Sequence, residues 1–371
     1  MTSSKKSSIS LNSAATSNRP PGRFGWSGLL GVAVSILLLW WALHDVSLSE
    51  VWHNLRGARV LPLLAMVVVA TARFPLITVR WRYLLRIEGE SIPFIPLWHA
   101  TAIGFMANNL LPARAGEFAR AYAARQLAGV KFSTAFASIA VERIMDGITL
   151  VAILSIGIWA GGFAPGTVVG GMTLGEIARG AGLLFGLALL IAFIVVHWPG
   201  PTRRMASVVA ARVLPERWAE RVVGFVDGLL GGLDALKSPK RSAAVILWSL
   251  AVWGVTAASF WLGFHAFGID VPWPAVFVLQ GIIGFGVAVP SSPGFVGTFE
   301  FATRIGLALY AVEATDAVSY ALGYHITTFL PITLLGIWSL SRVSMHIGDL
   351  TRGAEGAEGA EGAEPLGGSD G

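Results

Sequence analysis

Cysteine is missing from all 371 residues. That excludes disulfides, thiolate metal sites and cysteine nucleophiles, and it leaves the compartment open. Charge is scarce too. Asp, Glu, Lys and Arg make up 13% of the chain, where soluble domains carry about 25%. With 54% hydrophobic residues and a mean hydropathy of +0.66, the chain reads as a membrane protein with little soluble mass. Histidine is sparse, and none lies at ligand spacing from the carboxylates at 142 and 146, so no metal is expected there. No motif implies a cofactor or a nucleotide. The pI of about 9.8 does not point to nucleic acid either. The Lys and Arg are spread over loops between apolar runs, which is the orientation signature of a membrane protein facing anionic headgroups.

The apolar runs come at residues 29–43, 60–81, 93–111, 135–160, 180–196, 243–267, 274–289 and 317–340. Before them lies a Ser-, Asn- and Pro-rich basic stretch, 1–25, read as a disordered tail. After them, 346–371 repeats Gly-Ala-Glu without the proline that collagen needs, and is read as a disordered acidic tail. The first run has no small-x-small site behind it, so it is expected to stay as an uncleaved helix. Arg80, Arg82 and Arg86 mark a cytoplasmic end for the second. Residues 161–179 are Gly-rich and almost free of basic residues, which predicts an external loop. The polar stretch 199–241 carries eight basic residues against four acidic ones. It predicts a cytoplasmic amphipathic hairpin broken at Pro215, lying on the membrane or docked on the bundle.

Two runs stop abruptly. The first, GFMANNLLPARAGEFAR over 104–120, halts at Asn108 and Asn109, turns at Leu111-Pro112, and delivers Arg114, Glu117 and Arg120. The second, PSSPGFVGTFE over 290–300, combines Pro290, Pro293, Gly294 and Gly297 and is followed by Glu300 and Arg304. Irregular backbone cannot face lipid, because its polar groups would go unsatisfied, so both breaks predict a polar interior. A helix amino terminus after the first break would offer N–H groups to an anion. Arg114 and Arg120 would add bidentate geometry for phosphate or carboxylate. Two further charged sets lie inside apolar runs. Arg73 sits beside Pro75, where a charge costs about 2.5–3.5 kcal/mol and should face protein or water. Glu142, Arg143 and Asp146 sit at helical spacing, with Arg143 able to pair with Asp146. His325, His99 and His265 are read as hydrogen-bonded bundle residues.

Counting crossings with the positive-inside rule makes 93–130 leave the cytoplasm and return to it. The same count makes 274–311 a second hairpin entering from the opposite side. The expected fold is therefore an all-α polytopic membrane protein with about six spanning helices. Two re-entrant or broken helical hairpins complete it, in an inverted repeat whose halves are 26–160 and 180–342. Glu117 precedes Glu142 by 25 residues, and Glu300 precedes His325 by the same interval. Glu117 and Arg120, like Glu300 and Arg304, share a helix face. Broken helices meeting in such a repeat are the organisation of many transporters.

At NNLLPARAGEFAR (108–120), VERIMD (141–146) and PSSPGFVGTFE (290–300) the chain resembles the transmembrane, flippase-like domain of lysylphosphatidylglycerol synthases and its stand-alone relatives. The resemblance covers roughly 27–345. In the full-length synthases that domain is thought to move an aminoacylated lipid between leaflets, and a soluble aminoacyl-transferase domain makes the lipid. No such domain is expected in this chain, so the resemblance implies translocation without synthesis. The expected function is flipping of a lipid with an anionic headgroup, such as a phospholipid, a glycolipid or a polyprenyl-phosphate-linked glycan carrier. Its route would be lined by Asn109, Arg114, Glu117, Arg120, Glu142, Arg143, Asp146, Glu300, Arg304 and Arg73. The alternatives are a lipid-modifying transferase using Glu142, Asp146 or Glu117 as acid/base groups, and a non-catalytic partner of a lipid-biosynthetic enzyme. A homo-oligomer is possible in any of them. The expected location is the cell membrane, multi-pass, with both termini cytoplasmic.

Overall fold

The computed structural model describes residues 26–85, 92–111, 115–163, 166–169, 171–234, 238–287, 292–343 and 345. Thirteen helices run through them: α1 (Trp26–Leu43), α2 (Leu48–Gly57), α3 (Val60–Leu84), α4 (Phe94–Leu110), α5 (Gly116–Ala128), α6 (Phe132–Ala160), α7 (Leu174–His197), α8 (Pro199–Val213), α9 (Glu216–Asp234), α10 (Pro239–Phe267), α11 (Pro274–Gly286), α12 (Thr298–Ala308) and α13 (Ala314–Arg342). Among the described residues the only strands are β1 (Val168–Val169) and β2 (Met172–Thr173), which pair as a small antiparallel hairpin. The two tails, and Arg86 and Arg114, lie outside the described residues.

Three helices, α3, α10 and α13, are long and apolar enough to cross a membrane, and α1 with α2 forms a fourth candidate bent by 83° at the break. The protein is a helical multi-pass membrane protein. Large apolar side chains face outward on these helices, among them Leu61, Leu64, Val68, Leu247, Leu250 and Leu334. Lipid is as apolar as they are, so outward burial is not required of them.

The arms around the two breaks are shorter. α4 and α5, here hairpin one, have 17 and 13 residues, about 25 and 20 Å at 1.5 Å per residue. α11 and α12, hairpin two, have 13 and 11 residues, about 20 and 16 Å. α4 packs on α5 and on α13, α11 packs on α12 and on α6, and α3 packs along α10. A 3-10 turn at Pro293–Phe295 lies against α4, so the two hairpins touch at their broken ends.

The polar stretch after α7 forms two helices, α8 and α9, separated at Leu214-Pro215 as its proline predicts. α9 packs against α6, and Phe225 meets Phe136 with ring centres 5.8 Å apart. The expected loop 161–179 is shorter than its composition suggests. α7 begins at Leu174 because Thr173 and Glu176 close a capping box, with each side chain bonded to the other's backbone N–H.

Candidate functional site

Adjacent amides end the first arm and point in different directions. Asn108 Oδ1 accepts the Gly116 N–H at 2.9 Å, closing hairpin one on itself. Asn109 Nδ2 donates to Thr333 Oγ1 at 2.8 Å and to the Phe329 carbonyl at 3.4 Å, tying the same arm to α13. One N–H of the α5 amino terminus is thus already taken by Asn108. Gly116 approaches α4 so closely that a Cβ there would overlap the Gly104 carbonyl and the Asn108 amide. The side chain of α5 that crosses this seam is Arg120, 3% exposed.

Arg120 reaches α6 and grips Glu142 in a fork, Nη1 to Oε1 at 2.8 Å and Nη2 to Oε2 at 3.3 Å. Its guanidinium stacks 3.9 Å from the centre of the Trp81 ring. Trp81 is fully buried and its indole N–H is bonded to Ser138 Oγ at 2.8 Å. Glu142 also receives Arg143 at 2.8 Å and lies 3.5 Å from Arg80. One turn on, Asp146 takes both Arg80 nitrogens, at 2.6 and 3.2 Å, and lies 3.3 Å from Arg143. Trp253 on α10 donates to it at 3.3 Å. The shared face of Glu142 and Asp146 and the Arg143–Asp146 pair appear as their spacing predicts. Arg80 does not follow expectation. Counted among the charges of a cytoplasmic end, it is 1% exposed and bridges both carboxylates from α3. Only its ability to reach two acids at once, invisible in a loop-charge count, gives it away.

Arg73 lies two turns before Arg80 on α3. Its guanidinium sits 5.3 Å from the Phe74 ring and 5.9 Å from Phe105 of α4. Its Nε is buried with no hydrogen-bond partner among the described residues. Beside the cluster, Gly104, Phe105, Asn108, Gly116, Glu117, Arg120, Ile139 and Arg143 line a cavity of about 20 Å³, room for about one water. Arg143 is the cluster arginine that opens outward, with a side chain 38% exposed.

The second break gathers a separate set. Glu300 caps α12, accepting the Gly297 N–H at 2.7 Å on Oε2, and its Oε1 lies 2.6 Å from His325 Nδ1. His325 Nε2 lies 2.8 Å from the Gly294 carbonyl. Gly294, Phe295 and Gly297 all have positive φ, at 68°, 61° and 84°. For Phe295 that conformation costs roughly 1–3 kcal/mol, and it persists because the surroundings over-determine it. A Cβ at Gly297 would overlap the Ser35 carbonyl of α1. Arg304 shares the α12 face with Glu300 but binds elsewhere. It donates to Asp45 at 2.6 Å and to the Trp41 and Ala42 carbonyls at 2.9 Å each, closing the carboxyl end of α1.

The profile of the lysylphosphatidylglycerol synthase TM region matches residues 28–336. A protein named glycosyltransferase AglD from Haloferax volcanii is 27% identical over 345 residues, which is 85% of this chain but 54% of that protein. A UPF0104 membrane protein of Methanothermobacter thermautotrophicus is 28% identical over 251 residues, 63% of this chain and 70% of its own length. Another, from Pyrococcus horikoshii, is 21% identical over 324 residues, 83% and 93%. The chain belongs to the lysylphosphatidylglycerol synthase transmembrane-region family.

Proposed function

We propose that this family member moves a lipid with an anionic headgroup between the leaflets of the cell membrane, with the headgroup passing beside hairpin one. One observation carries the reading. Arg120, Arg143 and Glu117 line the cavity, and with Arg73, Arg80, Glu142 and Asp146 behind its wall the described residues hold four guanidiniums against three carboxylates. Charge inside a membrane protein is costly unless matched, and such residues mark substrate paths. A phosphate arriving from the bilayer matches the surplus, with Arg143 and Arg73 as its ligands and the acyl chains remaining in lipid. The cavity admits one water, so a headgroup enters only when α5 swings away from α4. Glu142 and Asp146 then hold Arg80 and Arg120 in place while the site is empty.

Arm length and packing support the inverted repeat. All four hairpin arms fall short of the ~30 Å hydrocarbon core. The exchange of partners, α4 on α13 and α11 on α6, is what a two-fold axis in the membrane plane produces. With the positive-inside count, the proposed topology has six spanning helices, two re-entrant hairpins and cytoplasmic termini.

Purified protein in liposomes should speed leaflet exchange of a labelled anionic lipid. Arg143→Gln should slow it about tenfold or more, because a charge-assisted hydrogen bond contributes about 1.5–3 kcal/mol. Unaltered exchange by Arg143→Gln would contradict the reading. The name of the Haloferax relative favours a second reading, a transferase acting on a lipid-linked glycan. Against it, the Glu142 oxygens are taken by Arg80, Arg120 and Arg143. Glycan transfer from a lipid donor by the purified protein would establish it.

A further inference from the structure

We propose that Glu300 and His325 form a proton-binding site, and that the tip of hairpin two stays closed only while it is loaded. The inference follows from counting hydrogens. Both ring nitrogens of His325 face oxygens: Nδ1 meets Glu300 Oε1 at 2.6 Å and Nε2 meets the Gly294 carbonyl at 2.8 Å. A carbonyl oxygen can only accept, so Nε2 carries a hydrogen. The short Nδ1–Oε1 contact needs a second, on the nitrogen or on the carboxyl. The pair therefore holds one proton more than a neutral imidazole beside a carboxylate. Whether it is written as imidazolium with carboxylate or as imidazole with carboxylic acid, the total is the same. Removing that proton leaves two lone pairs facing each other, at Nε2 or at Nδ1, and one contact must break.

Those contacts hold the tip. Glu300 Oε2 accepts the Gly297 N–H and His325 binds the Gly294 carbonyl, so the pair grips both ends of the left-handed segment. Among the described residues, the elements packed around the pair bring the following titratable groups. On α12, Arg304 is paired with Asp45, which follows α1. On α13, the Tyr324 hydroxyl shares a hydrogen with Ser259 of α10, and Asp316 accepts from Asn54 of α2. α3 presents Arg73 against Phe74 and Phe105. α4 brings His99, tilted against the Trp338 ring, while α1 and α11 carry no titratable side chain. Glu300 is 1% exposed, but the His325 side chain is 15% exposed, which leaves the proton a way in and out. Proton loss should thus loosen the tip where it meets hairpin one; coupling of this to lipid movement rests on the translocation reading above.

The chain has no cysteine, so Ser292→Cys, at the tip, can be labelled without background. Its rate of reaction with a membrane-impermeant maleimide is compared with that of Ser292→Cys/Glu300→Gln across the histidine titration range, about pH 5 to 9. The amide introduced by Glu300→Gln can accept from Gly297 and donate to Nδ1, mimicking the loaded carboxyl at every pH. The ratio of the rate without Glu300→Gln to the rate with it cancels the thiol's own ionisation. It should rise with pH, by at most about tenfold per unit for one proton. A flat ratio, or faster labelling of the protein carrying Glu300→Gln, would overturn the proposal. Should that variant fail to fold, ¹⁵N resonances of the histidine rings in the wild-type protein decide. Protonated Nε2 at low pH is expected, and a bare Nε2 there would sink it. Labelling that depends on pH in a protein inactive in lipid exchange would keep the proton site and remove the translocation reading.

Discussion

Glu142 is fully buried and has three guanidiniums within reach. Breaking a buried pair from one side is costly, because the remaining charge has nothing to match it. Glu142→Ala should therefore destabilise the protein by about 3–5 kcal/mol, read by thermal unfolding in detergent. A near-neutral result would mean that the arginines find other partners. Asp45, between α1 and α2, is the contrasting case, an exposed carboxylate. The Arg304 hydrogen bond holds its carboxyl below the ordinary range. A depressed carboxyl contributes stability that is present above its unfolded value, about 3.9, and lost as pH falls through the lower, folded one. The thermal stability gap between wild type and Asp45→Asn should accordingly close below about pH 4. A gap that stays constant through acid would remove the Arg304 tie as its cause. At this scale the sequence was partly legible. Spacing along one helix exposed Glu142, Arg143 and Asp146, but nothing local says that Arg120 and Arg80 converge on them from α5 and α3. The interval from Glu300 to His325 was visible as an echo, whereas its meaning, a direct contact, exists only once α12 packs on α13.

At the level of elements, close backbone approach closes hairpin one, the Gly116 N–H bond to Asn108 fixes it, and Asn109 ties it to α13. Gly116→Ala puts a methyl into the Gly104 carbonyl. Forcing atoms into a packed seam costs about 1–3 kcal/mol, so the variant should unfold earlier and lose the protection of α5 from proteolysis. Wild-type behaviour would show that the seam relaxes freely. Helix positions were readable because long apolar runs leave few choices, and the breaks were readable from Pro, Gly and Asn. The start of α7 was misjudged. Glycine content argued for a loop through 179, yet the Thr173-x-x-Glu176 pattern satisfies the first orphan N–H groups and starts the helix early.

For the whole molecule, the proposed inverted repeat makes a prediction about sides. Pro93→Cys and Lys131→Cys flank hairpin one, and Asp270→Cys and Glu313→Cys flank hairpin two. Impermeant reagents should reach the first two from the cytoplasm and the last two from outside. Opposite sides within either pair would make that hairpin a full crossing and dissolve the symmetry. At this level the proposal comes from counting rather than from pattern, since the two halves share little beyond the order of Gly, Pro and Glu. The central claim is that surplus guanidinium beside hairpin one selects a headgroup by its negative charge, and it is tested most directly with the unmodified protein in liposomes. Leaflet exchange of a labelled anionic phospholipid should exceed that of a zwitterionic one with the same acyl chains, and added salt should narrow the difference. Equal acceleration of both lipids at low salt would contradict it.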